Sequence, residues 1–248
     1  MFEIIEKINQ KQFIPIPNPP VKYFNGMDTE ELFIENLKTQ PEDWYYRHNT
    51  VTYTHNKYGY RAPEFEDIKW EESVVVFGCS NVYGTGLDDK DTLTSQLSQI
   101  INKPVINMGV GGASTVLCLH NAIILRNFYS KPLGVVNVWT EPSRTTLYNE
   151  KSFFNCGLWN VNEVNYAQEY IRDEANTSMY FLMNCLASRA LWDDVKYYET
   201  TFFKQAALLA NCRHEKMTKD RGKARDLRHP GKNLCREVAE DIATNLKL

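Results

Sequence analysis

The chain has 248 residues, 43% of them apolar, and a formal net charge of −3 at pH 7. This length suffices for one α/β domain with an enclosed core, and the near-balanced charge gives no general attraction for nucleic acid or an anionic membrane, so we expect neither partner. No apolar run approaches the ~20 residues that a membrane helix needs. The start, MFEIIEKINQ, lacks the basic head and apolar core of a signal peptide, which predicts a cytoplasmic protein.

The cysteines and histidines give no sign of a disulfide framework or a metal site. The six cysteines are scattered without a CxxC pair, and the histidines show no metal-ligand spacing with one another or with the cysteines. We therefore predict reduced cysteines, no metal and no other cofactor.

Residues 1–70 are predicted to form an arm with a small α/β extension that packs on a main domain of residues 71–248. In FIPIPNPP, four prolines within eight residues exclude both helix and central strand. Residues 28–38 have the apolar spacing of a short helix that Asp28 or Thr29 can cap. The alternation in TVTYTHNKYGYR predicts a strand that enters a turn.

From residue 73 onward, apolar runs alternate with helical patterns. SVVVF, PVINMGV and LGVVNVWT are typical of strands buried on both faces. DTLTSQLSQII, which Asp91 can cap, and STVLCLHNAIILRNF have helical spacing between them. This alternation predicts an α/β fold in which helices cover both faces of a mostly parallel sheet.

Beyond residue 140 the pattern is less regular. Residues 141–170 have no clean period, and we interpret them as a long loop near the strand ends, where long loops tend to be functional. A helix over 177–191, a fourth strand over 195–203, a helix over 204–211 and an amphipathic final helix over 233–247 are predicted to follow.

The first predicted strand ends in a glycine-rich loop that contains Cys79 and Ser80. Ligands of an open parallel sheet bind beyond the carboxyl ends of its strands, which makes this loop a candidate site. GCSNVYGTG and NMGVGGAST lack the spacings of the phosphate-binding loops, so nucleotide binding is kept only as an alternative.

A second candidate lies directly before the final helix, where Asp226 and His229 are three residues apart in ARDLRHPG. At that spacing a carboxylate can hold an imidazole in one tautomer and stabilise the imidazolium that forms when the ring takes a proton. A solvated loop is the alternative interpretation of this pair.

The order of three blocks, strand-Gly-Cys-Ser, strand-Asn-x-Gly-x-x-Gly and Asp-x-x-His-Pro, resembles the SGNH, or GDSL-like, hydrolase family over about residues 73–245. The resemblance implies a flavodoxin-like three-layer sandwich and a serine hydrolase, an esterase or carbohydrate deacetylase, that acts through an acyl-enzyme. It implies Ser80 as nucleophile, His229 as general base and Asp226 as its partner. The N–H groups of Gly112 and Ser80 would stabilise the oxyanion.

The third family block departs from this pattern, because WTEP stands where the family has an oxyanion asparagine. By position Thr140 takes that place, and Ser143 or Arg144 are further candidate donors. A catalytically weak or inactive binding protein of the same fold is therefore the alternative function. Cys79 is a second possible nucleophile, but alternation of side chains lets only one of the pair face the histidine, and we favour Ser80.

The expected substrate is a small-molecule or carbohydrate ester. Trp139 and Arg144 are the predicted substrate contacts. Trp139, Trp159 and Tyr148 can stack on a sugar, with core or loop packing as the default interpretation of these aromatic side chains. The basic run over 213–228 can attract an anionic or sugar-acid substrate, with a solvated loop as the alternative. THNKYGYR resembles a lead-in segment of some SGNH-type proteins from phages and marine bacteria. The oligomeric state does not follow from the sequence.

Overall fold

The computed structural model describes residues 13–148, 153–160, 171, 173–217 and 222–248. The strands are β1 (Val21–Lys22), β2 (Tyr53–Thr54), β3 (Val74–Gly78), β4 (Val105–Gly109), β5 (Gly134–Trp139), β6 (Thr145–Tyr148), β7 (Phe153–Cys156), β8 (Lys196–Thr201) and β9 (Arg213–His214). The α-helices of the same residues are α1 (Glu30–Thr39), α2 (Tyr45–His48), α3 (Ser80–Tyr83), α4 (Leu93–Ile101), α5 (Thr115–Phe128), α6 (Glu174–Leu191), α7 (Lys204–Ala210) and α8 (Lys232–Leu246).

The central sheet has the strand order β4-β3-β5-β8-β9, and every neighbouring pair is parallel. Counted in chain order within this sheet, the strands follow the 2-1-3-4-5 order of flavodoxin-like folds. The chain leaves β3 toward β4 on one side and returns to β5 on the other. This reversal opens a crevice beyond the carboxyl end of β3, which is where such sheets bind ligands.

Helices cover both faces of the sheet because the side chains of each buried strand alternate between them. Val74 and Val76 pack with α4 and α8 in one core cluster, and Val75 and Phe77 pack with α5 in the other. The predicted α/β class, with a mostly parallel sheet between two helical layers, is confirmed.

The described part of the arm packs into both cores. Tyr46 and Tyr53 join the cluster on the α4 side, and Phe13 and Trp70 join the cluster on the α5 side. β1 and β2 form a two-stranded antiparallel pair within the arm. The domain boundary near residue 70 stays a prediction, and residues 1–12 lie outside the described residues.

Several predicted elements begin or end elsewhere in the structure. Thr29 caps α1, since its Oγ1 accepts the N–H of Leu32 at 3.2 Å. The Asp91 cap is wrong, because the Thr92 hydroxyl instead accepts the N–H of Ser95. The strand predicted from TVTYTHNKYGYR shortens to the two residues of β2.

Neither β9 nor the antiparallel hairpin β6–β7 is predicted from the sequence, and the hairpin occupies part of the predicted loop at 141–170. All six cysteines are free thiols. Among the described helices, none combines the length and apolar character that crossing a membrane requires.

Candidate active site

Ser80 stands where β3 meets the crevice, as the first residue of α3. Its side chain lines a cavity of about 770 Å³ at this edge of the sheet. Cys79 is 1% exposed and packs in the core cluster on the α5 side. The strand end therefore presents the hydroxyl to the cavity and buries the thiol in the core, as the alternation of side chains predicts.

The structure brings Ser80, His229 and Asp226 into one hydrogen-bonded chain. The Nε2 atom of His229 lies 2.8 Å from the Oγ of Ser80, and its Nδ1 lies 2.5 Å from the Oδ2 of Asp226. An ionised carboxylate can only accept, so Nδ1 carries the proton and Nε2 is left to accept the serine O–H. Asp226 and His229 are buried, at 1% and 7% exposure.

A tight turn fixes the Asp226 carboxylate beneath the imidazole. Its Oδ1 accepts the N–H groups of Arg228 and His229, both at 3.1 Å. Leu227, between Asp226 and Arg228, adopts a left-handed backbone with φ of 57°. Burial disfavours the charged carboxyl, but the hydrogen bonds and charge interaction with His229, together with the N–H of Arg228, outweigh it and lower the pKa of Asp226. The imidazole of His229 is thus held by a carboxylate that stays ionised.

Gly86 docks this turn against the serine loop. The N–H of Arg225 donates to the Gly86 carbonyl at 3.1 Å. Gly86 has φ of 78°, and a Cβ there would lie 2.8 Å from the Cβ of Ala224. Only glycine suits both the backbone conformation and the close approach. This contact joins segments that are far apart in sequence, and the pattern GTG alone gave no sign of it.

The arm holds the same turn from the other side. The guanidinium of Arg225 donates to Asp28 at 2.8 Å, and the Asn36 amide donates to the Arg225 carbonyl at 2.9 Å. Tyr53 donates its hydroxyl to Asp28 and accepts the N–H of Gly86 at 2.7 Å. Arg225 is 3% exposed, so this member of the predicted basic run is structural and does not face a substrate.

Two of the predicted oxyanion donors line the cavity, and a third does not. Gly112, with φ of 72°, lies beside Ser80 in the cavity wall. Thr140 is 1% exposed and is absent from that wall, and its hydroxyl has no hydrogen-bond partner among the described residues. Its role as a donor stays a prediction.

Asn155, on β7, is a cavity residue that the sequence did not point to. Its Oδ1 accepts the hydroxyl of Thr146 at 2.8 Å, and Thr146 also bonds Ser114 at 2.6 Å. These contacts leave the Nδ2 group directed toward the second glycine loop, where its described partner is the Gly111 carbonyl at 3.5 Å. The hairpin therefore supplies a side-chain amide beside Gly112, a donor that the third block lacks.

The predicted substrate contacts are placed differently from one another. Trp139 is 2% exposed, packs edge-on against Phe181 and donates its indole N–H to Glu199. The prediction that Trp139 contacts the substrate is therefore wrong, because its side chain is buried. Arg144 and Trp159 do line the cavity. The side chain of Tyr148 lies outside the described residues, as do residues 218–221 of the basic run.

No set of three or more histidine, cysteine, aspartate or glutamate side chains could hold a metal ion within the described ranges. The chemistry that Ser80, His229 and Asp226 support is nucleophilic attack by a serine with a positioned base.

Comparisons with known proteins give likenesses at low identity. No protein-family model and no curated protein matches the chain. The solved structure of TesA is 14% identical over 71% of this chain and 98% of that chain, with a TM-score of 0.46. AlinE4, a SGNH-hydrolase family esterase, is 12% identical over 72% of this chain and 96% of that chain, with a TM-score of 0.36. An acetyl xylan esterase (Est2A) from the rumen bacterium Butyrivibrio proteoclasticus is 9% identical over 72% of this chain and 65% of that chain, with a TM-score of 0.42. The chemistry of the site therefore rests on its own geometry.

Proposed function

We propose that this protein is a serine hydrolase of the SGNH type that cleaves an ester through an acyl-enzyme at Ser80. The observation that carries the proposal is the buried chain of Ser80, His229 and Asp226 at the edge of an open cavity. A serine hydroxyl is a poor nucleophile until a base removes its proton during attack. His229 is within hydrogen-bond reach for that transfer.

In the first half of the reaction, the Oγ of Ser80 attacks the ester carbonyl while Nε2 of His229 takes the proton. Asp226 stabilises the imidazolium that results. The imidazolium then protonates the departing alkoxide, leaving the acyl group on Ser80. In the second half, a water molecule attacks the acyl-enzyme with His229 again as base, which releases the acid and restores the serine.

The tetrahedral oxyanion needs donors that are already in place. We assign the N–H groups of Ser80 and Gly112, and add the Nδ2 group of Asn155 as the side-chain donor in place of Thr140. Thr146 supports this assignment because it holds the Asn155 carbonyl oxygen and so fixes which end of the amide faces the glycine loop.

We propose a small or carbohydrate-linked ester as substrate. Trp159 lies in the cavity wall with half of its surface exposed, and offers a flat apolar face on which a sugar can stack.

Hydrolysis of a short-chain aryl ester tests the mechanism. We expect Ser80→Ala and His229→Ala to abolish turnover while thermal unfolding stays close to that of the wild type. Cys79→Ala is the matched control and should keep turnover, because the thiol lies in the core. Wild-type turnover in both triad variants would refute the mechanism.

A fluorophosphonate probe separates this function from its alternative, an inactive binding protein of the same fold. Stoichiometric labelling at Ser80, lost in Ser80→Ala, is the result we expect. Absence of labelling in the folded wild type would favour the binding protein.

A further inference from the structure

Arg144 is a cavity residue whose guanidinium is only loosely paired within the described part of the chain. Its side chain is 11% exposed, and its buried Nε donates to no described residue. Among the described residues, Glu141 is the carboxylate that faces it, and at 3.6 Å from Nε it is too far away for a hydrogen bond. A guanidinium has five N–H donors in a fixed planar fork, so a mostly buried one without an acceptor is costly.

Other buried arginines of the same protein show how it normally satisfies such a group. Arg61 and Arg225 have side-chain exposures of 2% and 4%, and both donate directly to aspartates. Arg144, in the cavity wall, has no such hydrogen bond to a described carboxylate. An acceptor that arrives with a ligand would complete it.

Aromatic rings hold Arg144 in place for such a ligand. The centre of its guanidinium lies 5.0 Å from the Trp159 ring and 5.2 Å from the Phe203 ring. The same indole approaches Gly112, where a Cβ would lie 3.6 Å from the Trp159 ring. One indole therefore lies close to both the guanidinium and a proposed oxyanion donor.

The rest of the cavity wall has the same sign of charge. Its described residues include the basic side chains Lys22, Arg144 and Arg228, from three separate segments, and no acidic side chain. The ammonium of Lys22 donates to Asn18 at 2.7 Å and pairs with no carboxylate in the described ranges. Burial, with Arg61 nearby, lowers the pKa of Lys22, which an anion beside it would oppose.

We propose that the ester cleaved at Ser80 carries a carboxylate, and that Arg144 binds this carboxylate through its free guanidinium edge. The proposal rests on the proposed function and names its substrate class. Guanidinium and carboxylate match in planar, two-point geometry, and hydrogen bonds between charged groups are stronger than neutral ones.

A pair of chromogenic esters tests the inference: mono-4-nitrophenyl glutarate, which is anionic, and its methyl ester, which is neutral. With the uncatalysed rates subtracted, the wild type should show kcat/KM about tenfold or more higher for the anion. Arg144→Met should bring the ratio to about one, and Arg144→Lys should keep part of it. Arg236→Met, which removes an exposed arginine on α8, is the matched control and should leave the ratio unchanged.

Equal turnover of both esters by the wild type, or an unchanged preference in Arg144→Met, would overturn the inference while leaving the hydrolase proposal intact. If neither ester is cleaved and the fluorophosphonate does not label Ser80, the proposed function fails. Calorimetric titration with monomethyl glutarate then decides about the anion site. Binding that is weakened at least about tenfold in Arg144→Met supports the site, and equal or absent binding overturns it.

Discussion

Replacing Asn155 by alanine removes the proposed side-chain donor of the oxyanion hole while disturbing little else. A donor of this kind contributes about a hundredfold to a thousandfold in kcat, or roughly 2.7–4 kcal/mol of barrier. Removing the Asn155 amide should lower the free energy of unfolding by much less than this. Among the described residues the Nδ2 group reaches just the Gly111 carbonyl, at 3.5 Å, and Thr146 keeps its bond to Ser114 when the Asn155 oxygen is gone.

We therefore expect Asn155→Ala to lower kcat for an aryl ester by about a hundredfold or more, with a change in unfolding free energy of about 1 kcal/mol or less. Steady-state kinetics and chemical denaturation measure the two quantities on the same preparation. Asn155→Asp keeps the shape of the side chain but replaces the donor by a negative charge, and it should lower kcat at least as much.

Thr140→Val is the matched comparison, because it removes the hydroxyl of the other candidate donor at nearly constant volume. It should leave kcat within about threefold of the wild type if Asn155 is the donor, a small fraction of the effect of a lost oxyanion donor. A large loss in Thr140→Val together with near wild-type activity in Asn155→Ala would refute the reasoning and return the role to Thr140.

Three further predictions concern the turn, the arm and the cavity wall. The pKa of Asp226 is lowered in the folded protein, so its charge stabilises the fold fully above the ordinary pKa of about 3.9, and this stabilisation is lost as pH falls through the folded pKa. Denaturant titrations should therefore show that the difference in unfolding free energy between wild type and Asp226→Asn becomes smaller as pH falls below about 3.9. Asp28→Ala leaves the buried Arg225 guanidinium without its carboxylate partner and should lower the unfolding free energy by about 3–5 kcal/mol, whereas wild-type stability would contradict a structural role for this ion pair. Gly157→Ala places a Cβ 2.2 Å from the Trp159 ring, so it should raise KM for a sugar ester more than it lowers kcat, as steady-state kinetics can show.

The regular part of the fold follows from local pattern. Continuous apolar runs such as residues 73–77 are typical of strands buried on both faces, and the structure places β3 there with one residue of shift. The sequence does not predict the hairpin β6–β7, because its two strands have four residues each and lack a continuous apolar run or a clean alternation of apolar and polar residues. β9 has two residues, too few for any period.

The site was predictable where chemistry depends on residue type and sequence spacing. Asp226 and His229 are three residues apart, so one turn of backbone suffices to join them, and the family resemblance adds Ser80. Asn155 could not be found this way. Its value comes from Thr146, which orients the amide, and from the approach of the hairpin to Gly112, and both are tertiary contacts.

The ion pair between Asp28 and Arg225 joins residues 197 positions apart, and Ser80 and His229 are 149 positions apart. During synthesis, β3 and Ser80 leave the ribosome well before His229 has been made, so the hydrogen bond between Ser80 and His229 cannot form in that nascent segment. Contacts of such long sequence separation also tend to form slowly in folding. Recovery of hydrolysis during refolding should thus track the last long-range closure of the chain, and activity would serve as a reporter of complete folding.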